Sequence, residues 1–425
     1  MNPPGGTHAG EPRDHADVLA AGVAPRRMHR LTFVLTLKPR HRVSMTRSGP
    51  TARMSGERTT MAAAGVSTTD LSLYEHIGGQ LDRLCRVAGF DGNDRRPLEL
   101  LESMLGAAGE NSLAAPPRWK SNVADDTTPV EFSLAFDATG EYAVRVLGES
   151  VGARTPVEFL QNVAEPYRLD TRRLDAVTDL FLPHEERQGP FTMWYSLIFR
   201  PGRDPKIKVY LNPQISGATM ADSLVNEGFR RLGIEAAFDP VIQHALPRGE
   251  LDNFSFFALD LDRGPLSRVK VYVSHEDAEC ADVERAAALV PGVDPLHIRE
   301  FCAVLGGGKG PFEGRPLISS YSFVEGDEGR PSNYSLYLPI RSYVPDDEVA
   351  RARVLAIMAQ YDLDGAILDE AIAAVADRPL RNGVGLIAHV SLRLGDLGSG
   401  ITIYLSSEAY QVMPAGKRTL LSELR

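Results

Sequence analysis

The chain has 425 residues, 43% of them hydrophobic and 24% charged, as expected of a globular protein with one large domain or two smaller ones. Its formal net charge of −10 argues against a general nucleic-acid or membrane-surface binder, because both kinds of partner attract a basic surface. The three cysteines are widely spaced and lack histidines in any ligand pattern, so we expect a cytoplasmic protein without a disulfide framework or a zinc site. No apolar run reaches the ~20 residues that a membrane-spanning helix requires.

The first 66 residues differ in composition from the rest of the chain. They are rich in Gly, Pro, Ser, Thr and Arg and poor in acids. Such a segment buries too little apolar surface to offset the entropy of ordering, so we expect disorder there. The internal methionines Met45, Met54 and Met61 allow a second explanation, a natural start further downstream, and a basic arm that binds a partner is a third. We therefore predict a single folded domain over residues 67–425.

From residue 70 onward, predicted helices alternate with pairs of strands. Leu73, Ile77, Leu81 and Leu84 recur at helical spacing, and Asp70 precedes them as a candidate cap. Further helices are predicted over residues 97–105, after 156, and over 174–180, 220–232, 283–304 and 349–376. Strand pairs are predicted over residues 129–134 with 142–147, 191–199 with 207–211, 253–261 with 268–273, 317–323 with 334–340, and 385–392 with 401–405.

Several of these strands have one apolar face and one polar face in the same phase. Side chains alternate along a strand, so Val269, Val271 and Val273 share one face of Arg268–Val273 and the other face carries cations and a tyrosine. Four strands carry a tyrosine on this polar face: Tyr210, Tyr272, Tyr337 and Tyr404. For one strand alone, a solvated polar face is the simpler explanation. Four strands in one phase instead favour a closed sheet around a solvent-filled lumen, with helices over the apolar faces.

This pattern of helix, strand, strand, helix predicts an α+β fold, a barrel of about ten antiparallel strands with helices outside. Lysines and arginines inside such a lumen suit a diphosphate, and tyrosine rings suit a cation. The glycine run Gly306–Gly310 lacks phosphate-loop spacing, so we interpret it as a flexible loop. No paired acidic motif of the kind that holds Mg²⁺ on a diphosphate is present, so we expect protein cations to neutralise the anion without a metal or another cofactor.

Glu131 is the carboxylate with the strongest indication of a role in chemistry. Its strand phase puts it on the polar face, opposite to Val130 and Phe132. A carboxylate in an enclosed pocket can accept an N–H from a heteroaromatic ring and make that ring more electron-rich. The alternative is a structural ion pair with a lumen arginine such as Arg145.

At these residues the sequence resembles the dimethylallyltryptophan synthase family of indole prenyltransferases, especially its bacterial members. The resemblance covers about residues 71–410. It rests on the order and spacing of fragments that are each weak alone: Thr128–Ser133, Val144–Arg145, Lys208–Pro213, Phe257–Asp260, Arg268–Tyr272, Tyr334–Pro339 and Ile403–Ser407. The fold that the resemblance implies is the αββα prenyltransferase barrel, which agrees with the repeat above.

The resemblance also implies roles for individual residues. Glu131 matches the acid that holds the indole N–H. The positions that bind the allylic diphosphate are matched by Arg145, Lys208, Arg268 and Lys270. The tyrosine shield around the dimethylallyl group is matched by Tyr210, Tyr272, Tyr337 and Tyr404.

The base that removes the ring proton is not identified by the resemblance. Several fungal relatives place a lysine on the strand that matches Phe191–Phe199, but this strand contains neither lysine nor histidine. Glu131, directly or through water, and His389 are the alternatives. Trp194, Ser335 and His389 are further candidates for the substrate pocket, and a core position is an equal alternative for Trp194.

We therefore expect an enzyme that transfers a dimethylallyl group from dimethylallyl diphosphate to the indole of L-tryptophan by metal-independent Friedel–Crafts alkylation. A tryptophan-derived cyclic dipeptide or indolactam is the alternative acceptor, and a barrel that binds its ligand without turnover is the non-enzymatic alternative. The expected partners are small molecules, with neither nucleic acid nor membrane, and the default oligomeric state is a monomer, with a homodimer as the alternative.

Overall fold

Ten antiparallel strands close into a barrel, as the strand phases predict. The computed structural model describes residues 71–182 and 189–416, so the predicted N-terminal extension lies outside it. Each strand pairs with its neighbours in sequence, and β1 pairs with β10 to complete the ring. The strands are β1 (Val130–Asp137), β2 (Tyr142–Gly148), β3 (Met193–Phe199), β4 (Lys206–Leu211), β5 (Asp252–Asp260), β6 (Val269–His275), β7 (Leu317–Phe323), β8 (Asn333–Leu338), β9 (Ile387–Gly395) and β10 (Gly400–Ser406).

Helices surround the barrel and cover the apolar faces of the strands. The outward-facing Val269, Val271 and Val273 of β6 are buried in one continuous hydrophobic core with helix residues such as Leu81 and Ile357. The helices are α1 (Leu73–Val87), α2 (Arg96–Leu105), α3 (Glu158–Val163), α4 (Arg172–Asp175), α5 (Thr178–Phe181), α6 (Ala221–Arg231), α7 (Phe238–Ala245), α8 (Cys280–Ala287), α9 (Pro295–Gly306), α10 (Asp347–Gln360) and α11 (Gly365–Val375). None of these described helices is long and apolar enough to cross a bilayer.

Helix ends differ from the sequence prediction at several places. The single helix predicted over residues 174–180 is wrong, because α4 and α5 are separate there. The cap of α1 is Ser72, which forms a capping box with Glu75, whereas Asp70 lies outside the described residues. The single helix predicted over residues 349–376 is wrong: α10 and α11 are separate, because Asp364 caps a new helix by accepting a hydrogen bond from Ala366 N–H. The stretch 283–304 is divided in the same way by Asp294, which caps α9. Apolar spacing continues through both breaks, so periodicity alone hides them.

A buried polar network joins four strands on the outer face of the barrel. His275 Nδ1 lies 2.8 Å from Asp252 Oδ1, and its Nε2 lies 2.9 Å from Ser319 Oγ. The Ser319 hydroxyl is 2.7 Å from the Tyr334 hydroxyl, which donates to a carbonyl of α8. Arg248 completes the network by pairing with Asp252 at 2.6 Å. Because His275 and Ser319 are almost fully buried, this chain of side chains stabilises β5 to β8 and offers no access to a substrate.

We expect His275→Ala to lower the free energy of unfolding by about 2–4 kcal/mol, because it removes two buried hydrogen bonds and leaves a cavity. Urea denaturation followed by circular dichroism measures the change. The control is His244→Ala on the half-buried side of α7, which should change stability by less than about 1 kcal/mol. Equal losses in the two variants would contradict a structural role for the network.

Candidate active site

The pairing register sets which side chains face the lumen and in what order along the barrel axis. Along β6 the inward residues are Lys270 and Tyr272, and Arg268 precedes them. On β1 and β10, Glu131 lies opposite Ser406, at the far end from Asp137 and Gly400. The lumen is therefore layered, with cations towards one end, tyrosines in the middle and Glu131 towards the other end.

Four tyrosines form a continuous row around the middle of the lumen. The ring centroids of Tyr210 and Tyr272 are 5.8 Å apart, those of Tyr272 and Tyr337 are 5.7 Å apart, and those of Tyr337 and Tyr404 are 6.1 Å apart. Burial raises the pKa of Tyr210, Tyr272 and Tyr404. The hydroxyls of these three therefore keep their protons, and the row offers electron-rich ring faces together with hydrogen-bond donors.

Two buried lysines lie against this row. Lys208 Nζ donates to the Tyr272 hydroxyl at 2.8 Å and lies 4.4 Å from the centroid of the Tyr210 ring. Lys270 Nζ is 4.9 Å from the Tyr272 centroid and donates to the Tyr337 hydroxyl at 3.4 Å. Burial lowers the pKa of both lysines well below the usual range, and for Lys270 the charge of Lys208 adds to the effect. An anion placed between them would favour their charged forms.

Arginines complete the cationic end around a cavity of about 420 Å³. Arg268 forms an ion pair with Asp260 at 2.6 Å, and although burial opposes ionisation of that carboxyl, Arg268 and Lys208 hold its pKa at about 2. Arg145 also lines the cavity, and its buried Nε has no hydrogen-bond partner among the described residues. This end of the lumen therefore has unused positive hydrogen-bonding capacity.

Sequence reasoning missed Arg393, which lines the same cavity. Arg393 faces the lumen on β9 opposite Ser335, and burial together with the charges of Arg145 and Arg268 lowers its pKa to about 10. The sequence did contain a signal for Arg393, since His389, Ser391 and Arg393 alternate with aliphatic residues.

The strand register also places Ser335, a candidate for the substrate pocket. Ser335 lies opposite Arg393 and two residues before Tyr337, so it is on the cationic side of the tyrosine row and not beside Glu131.

Glu131 is almost fully buried at the opposite end. Burial raises its pKa to about 7, against the lowering effect of Arg341. The alternative ion pair with Arg145 is not formed in the described structure, because Arg145 lies opposite Ser133, one inward position further along β1. The nearest ring nitrogen is instead His389 Nδ1, 3.8 Å from Glu131 Oε1.

The hydrogen bonding of His389 limits its chemistry. Arg341, which the sequence analysis did not single out, places Nη1 3.1 Å from His389 Nδ1. Guanidinium groups only donate, so Nδ1 must be the acceptor and the ring proton lies on Nε2. Burial and the charges of Arg341 and Arg315 lower the pKa of His389 well below its usual value. His389 is therefore a neutral ring with its basic nitrogen already occupied.

Aromatic rings form the wall beside Tyr210. Trp194 faces the lumen opposite Tyr210, and its centroid lies 4.4 Å from that of Phe191 and 5.4 Å from that of Phe256. The indole Nε1 of Trp194 is buried without a hydrogen-bond partner of normal geometry. Trp194 is thus both a packed residue and part of the lumen wall.

Comparison with known proteins identifies the family. The model of the tryptophan dimethylallyltransferase family matches residues 74–366. The chain belongs to this family. It is therefore a prenyltransferase, and the resemblance seen in the sequence is confirmed.

Solved structures of similar chains agree in fold. A 6-dimethylallyltryptophan synthase from Micromonospora olivasterospora, in complex with DMASPP and Trp, is 50% identical over 81% of this chain and 99% of that chain, with a TM-score of 0.77. Prenyltransferase PriB, in a ternary complex with L-tryptophan and dimethylallyl thiolodiphosphate, is 38% identical over 82% and 99%, with a TM-score of 0.75. A 5-dimethylallyl tryptophan synthase from Streptomyces coelicolor, in complex with DMASPP and Trp, is 36% identical over 81% and 98%, with a TM-score of 0.74.

We expect His389 to remain neutral from pH 8 down to pH 5.5, with its proton on Nε2. Long-range ¹H–¹⁵N NMR of histidine-labelled protein measures this directly, and the His389→Asn spectrum assigns the signal. In Arg341→Leu the ring loses its donor and a nearby positive charge, so its pKa should move up towards ~6.5. Titration of His389 near pH 6.5 in the native protein would contradict the arrangement.

Proposed function

We propose that this chain transfers a dimethylallyl group from dimethylallyl diphosphate to carbon 6 of the indole ring of L-tryptophan, without a metal ion. The layered lumen is the observation that carries the proposal: cations, then tyrosines, then one buried carboxylate. Each layer suits one part of the reaction, namely a leaving diphosphate, an allylic cation and an indole N–H. Along the lumen, the layers follow the order of the reacting groups: the diphosphate, the allylic group bonded to it, and the indole that attacks the allylic group.

The cationic layer would bind the diphosphate and stabilise it as it leaves. When the C–O bond of the donor breaks, its electron pair goes to the diphosphate oxygen, and hydrogen bonds from fixed cations stabilise that charge. The residues in this role are Arg145, Lys208, Arg268, Lys270 and Arg393. Asp260 would keep Arg268 in position through their ion pair. These side chains supply the positive charge that Mg²⁺ would otherwise provide, which supports metal independence.

The tyrosine row would hold the dimethylallyl cation. Cation–π attraction contributes ~2 kcal/mol or more per well-placed ring in a desolvated site. The row also separates the cation from water, which would otherwise quench it. The π electrons of the indole then form the new C–C bond, and the ring regains aromaticity by losing a proton.

Glu131 is the group that we assign to the indole N–H and to the departing proton, directly or through a water molecule. Its raised pKa of about 7 suits proton transfer near neutral pH. His389 is the weaker candidate, because its Nδ1 already accepts a hydrogen bond from Arg341. Trp194, with Phe191 and Phe256, would form the wall against which the substrate lies.

Relatives support the acceptor and the ring position. The synthase at 50% identity is named for carbon 6 and the one at 36% for carbon 5, and both were solved with Trp. A tryptophan-derived acceptor remains the second candidate. Mass spectrometry of the protein with dimethylallyl diphosphate and L-tryptophan, in EDTA and again in Mg²⁺, tests the proposal. A product heavier by one C5H8 unit in EDTA, with NMR placing it on carbon 6, is the expected result, and a strict need for Mg²⁺ would overturn metal independence.

We expect kcat/KM for the acceptor to rise with pH through about 7, because Glu131 must be ionised to accept a proton and its pKa is raised to about 7. Glu131→Gln should lose ~10²–10⁴-fold in kcat/KM together with this pH dependence. His389→Asn keeps an acceptor for Arg341, so it should lose less than ~10-fold and keep the pH dependence. The opposite result in the two variants would make His389 the base.

The same raised pKa gives a control for folding. A carboxyl whose pKa is higher in the folded state weakens folding as the pH rises through about 7, because the buried group must then ionise. Glu131→Gln removes this charge and should be more stable than the native protein at pH 8, by on the order of 3 kcal/mol. Lost activity with gained stability excludes misfolding as the cause.

We also expect diphosphate binding to take up protons. The pKa values of Lys208 and Lys270 are lowered in the free protein, and a bound anion raises them again, so affinity should fall as the pH rises. Calorimetry with inorganic pyrophosphate in EDTA at pH 8, in Tris and in Hepes buffers, measures the uptake. Lys270→Met should take up fewer protons than the native protein, by on the order of one. The exposed Lys309, which does not line this cavity, gives the control, Lys309→Met, which should leave the uptake unchanged.

A further inference from the structure

Trp194 has a buried polar atom that the aromatic rings around it cannot satisfy. The residue is 6% exposed, and its ring centroid lies 4.4 Å from that of Phe191 and 5.4 Å from that of Phe256. These contacts constrain the plane of the indole. They do not decide which edge of the indole faces the lumen, because phenylalanine rings carry no acceptor of ordinary strength for an N–H and the terminal torsion of an aromatic side chain is broad. The Nε1–H of Trp194 has no hydrogen bond of normal geometry among the described residues.

A largely buried carboxyl group lies next to this indole. In the antiparallel pairing of β2 with β3, Gly148 is opposite Tyr195. The next residue of the chain after Gly148 is Glu149, and the same register continues from it to Trp194. Burial raises the pKa of Glu149, whereas the nearby hydroxyl of Ser121 and indole of Trp194 favour its ionised form. Glu149 is therefore an acceptor within reach of the buried indole N–H.

Ser121 holds the Glu149 carboxyl in place. Its hydroxyl donates to Glu149 Oε2 at 2.8 Å and accepts a hydrogen bond from the backbone N–H of Val123 at 3.3 Å. Val123 belongs to the same buried cluster as Trp194. The segment before β1 therefore meets the indole twice, once through the carboxyl and once through an apolar side chain. A carboxylate has two oxygens, so Glu149 can accept a hydrogen bond from a second donor while Ser121 holds it.

Trp194 borders the part of the lumen between Glu131 and the tyrosine row. Glu131 on β1 is opposite Leu147 on β2, and Leu147 packs against the buried cluster that contains Trp194. Trp194 is in turn opposite Tyr210, the first ring of the row. An indole whose N–H is held by Glu131 would therefore lie beside the Trp194 ring as it approaches the allylic group. A turn of that ring would move the acceptor, and a displacement of ~1 Å at a reacting centre changes a rate by ~10²-fold.

We propose that Glu149, held by Ser121, is a positioning residue that fixes the orientation of Trp194 by accepting its indole N–H, and so selects which carbon of the acceptor ring faces the allylic cation. The inference rests on the proposed indole prenylation and gives a cause for attack at one ring carbon. Glu149 acts through Trp194 and not on the reacting atoms. Its removal should therefore change the position of the new bond more than the ability to form it.

The distribution of ring isomers among the products tests the inference. Chromatography and NMR of the products formed from L-tryptophan and dimethylallyl diphosphate measure it. Glu149→Met removes the acceptor at nearly constant length, and it should raise the share of minor ring isomers by ~10-fold or more. Glu149→Gln keeps a carbonyl oxygen that can accept the N–H, so it should keep the native distribution. Trp194→Phe removes the N–H itself and should give a mixture like that of Glu149→Met.

Combined variants separate positioning from a general structural role. In Trp194→Phe the carboxyl has no indole N–H to hold, so adding Glu149→Met should change the isomer distribution no further. Ser121→Ala should give an intermediate distribution, because Glu149 then loses one of its two constraints. The exposed Glu165 gives the control, Glu165→Met, which should change neither rate nor distribution. If Glu149→Met lowers the rate and leaves the isomer distribution unchanged, Glu149 only stabilises the barrel and the inference is wrong.

The indole N–H signals of the protein give a readout that needs no turnover. The chain has two tryptophans, so ¹⁵N-tryptophan labelling gives two such signals, and Trp119→Phe assigns them. The proton signal of Trp194 should move upfield in Glu149→Met, because the N–H loses its acceptor, and it should stay near its native position in Glu149→Gln.

The two experiments also separate failure of the inference from failure of the proposed function. Product from the native protein, together with a Trp194 signal that Glu149→Met leaves unchanged, would contradict the inference alone. Absence of product from the native protein and from every variant would contradict indole prenylation, and with it the inference that rests on it.

Discussion

The enclosure of excess positive charge inside a closed barrel is the constraint on which the rest of this structure depends. Lysines and arginines gather at one end of the lumen, among them Arg145, Lys208, Arg268, Lys270 and Arg393, and of these five only Arg268 has an ion pair with an acid within the described residues, with Asp260. Removing ions from water costs several kcal/mol each, so uncompensated cations inside a closed lumen are electrostatically unfavourable. Burial lowers the pKa values of Lys208 and Lys270, and loss of their protons would remove part of this positive charge. A bound polyanion would offset the remaining positive charge, and its binding would then stabilise the folded barrel.

The two ends of the lumen use burial in opposite ways. At the cationic end, burial favours neutral lysines that an anion can recharge. At the other end, burial favours a protonated Glu131, so that carboxyl becomes a better proton acceptor once it is ionised near neutral pH. The tyrosine row between the ends keeps them apart and remains protonated where its pKa is raised. One physical effect, desolvation, therefore shifts the pKa values of both the proposed diphosphate site and the proposed base.

Strand phase made much of this architecture predictable from the sequence. Alternation of side chains assigned Lys208, Lys270 and the four tyrosines to one face, and closure of the sheet brought those faces together. Alternation of side chains cannot place residues that lie outside the strands. Asp125, Arg315 and Arg341 lie in connections between strands, and only the closed barrel brings them within hydrogen-bonding distance. Arg393 had the right phase but lay beyond the predicted strand end, because strand boundaries are the least certain part of such a prediction.

Helix breaks show a related limit. The caps Asp294 and Asp364 interrupt apolar patterns that otherwise continue, so a prediction from apolar spacing misses the breaks, although Pro291, Gly292 and Pro295 mark the first of them in the sequence. These errors do not affect the lumen, because the helices cover the outer face of the barrel.

The barrel divides its functional side chains by the kind of backbone that holds them. The cations and tyrosines of the lumen are held in or beside strands, each of which is hydrogen-bonded to neighbours on both sides. In contrast, Asp125, Arg315 and Arg341 near Glu131 lie in connections between strands. Loops tolerate substitution and insertion far better than the interior strands of a closed sheet. For protein engineering, the three connections before β1, before β7 and after β8 are the segments in which substitutions beside Glu131 disturb the strands of the barrel least.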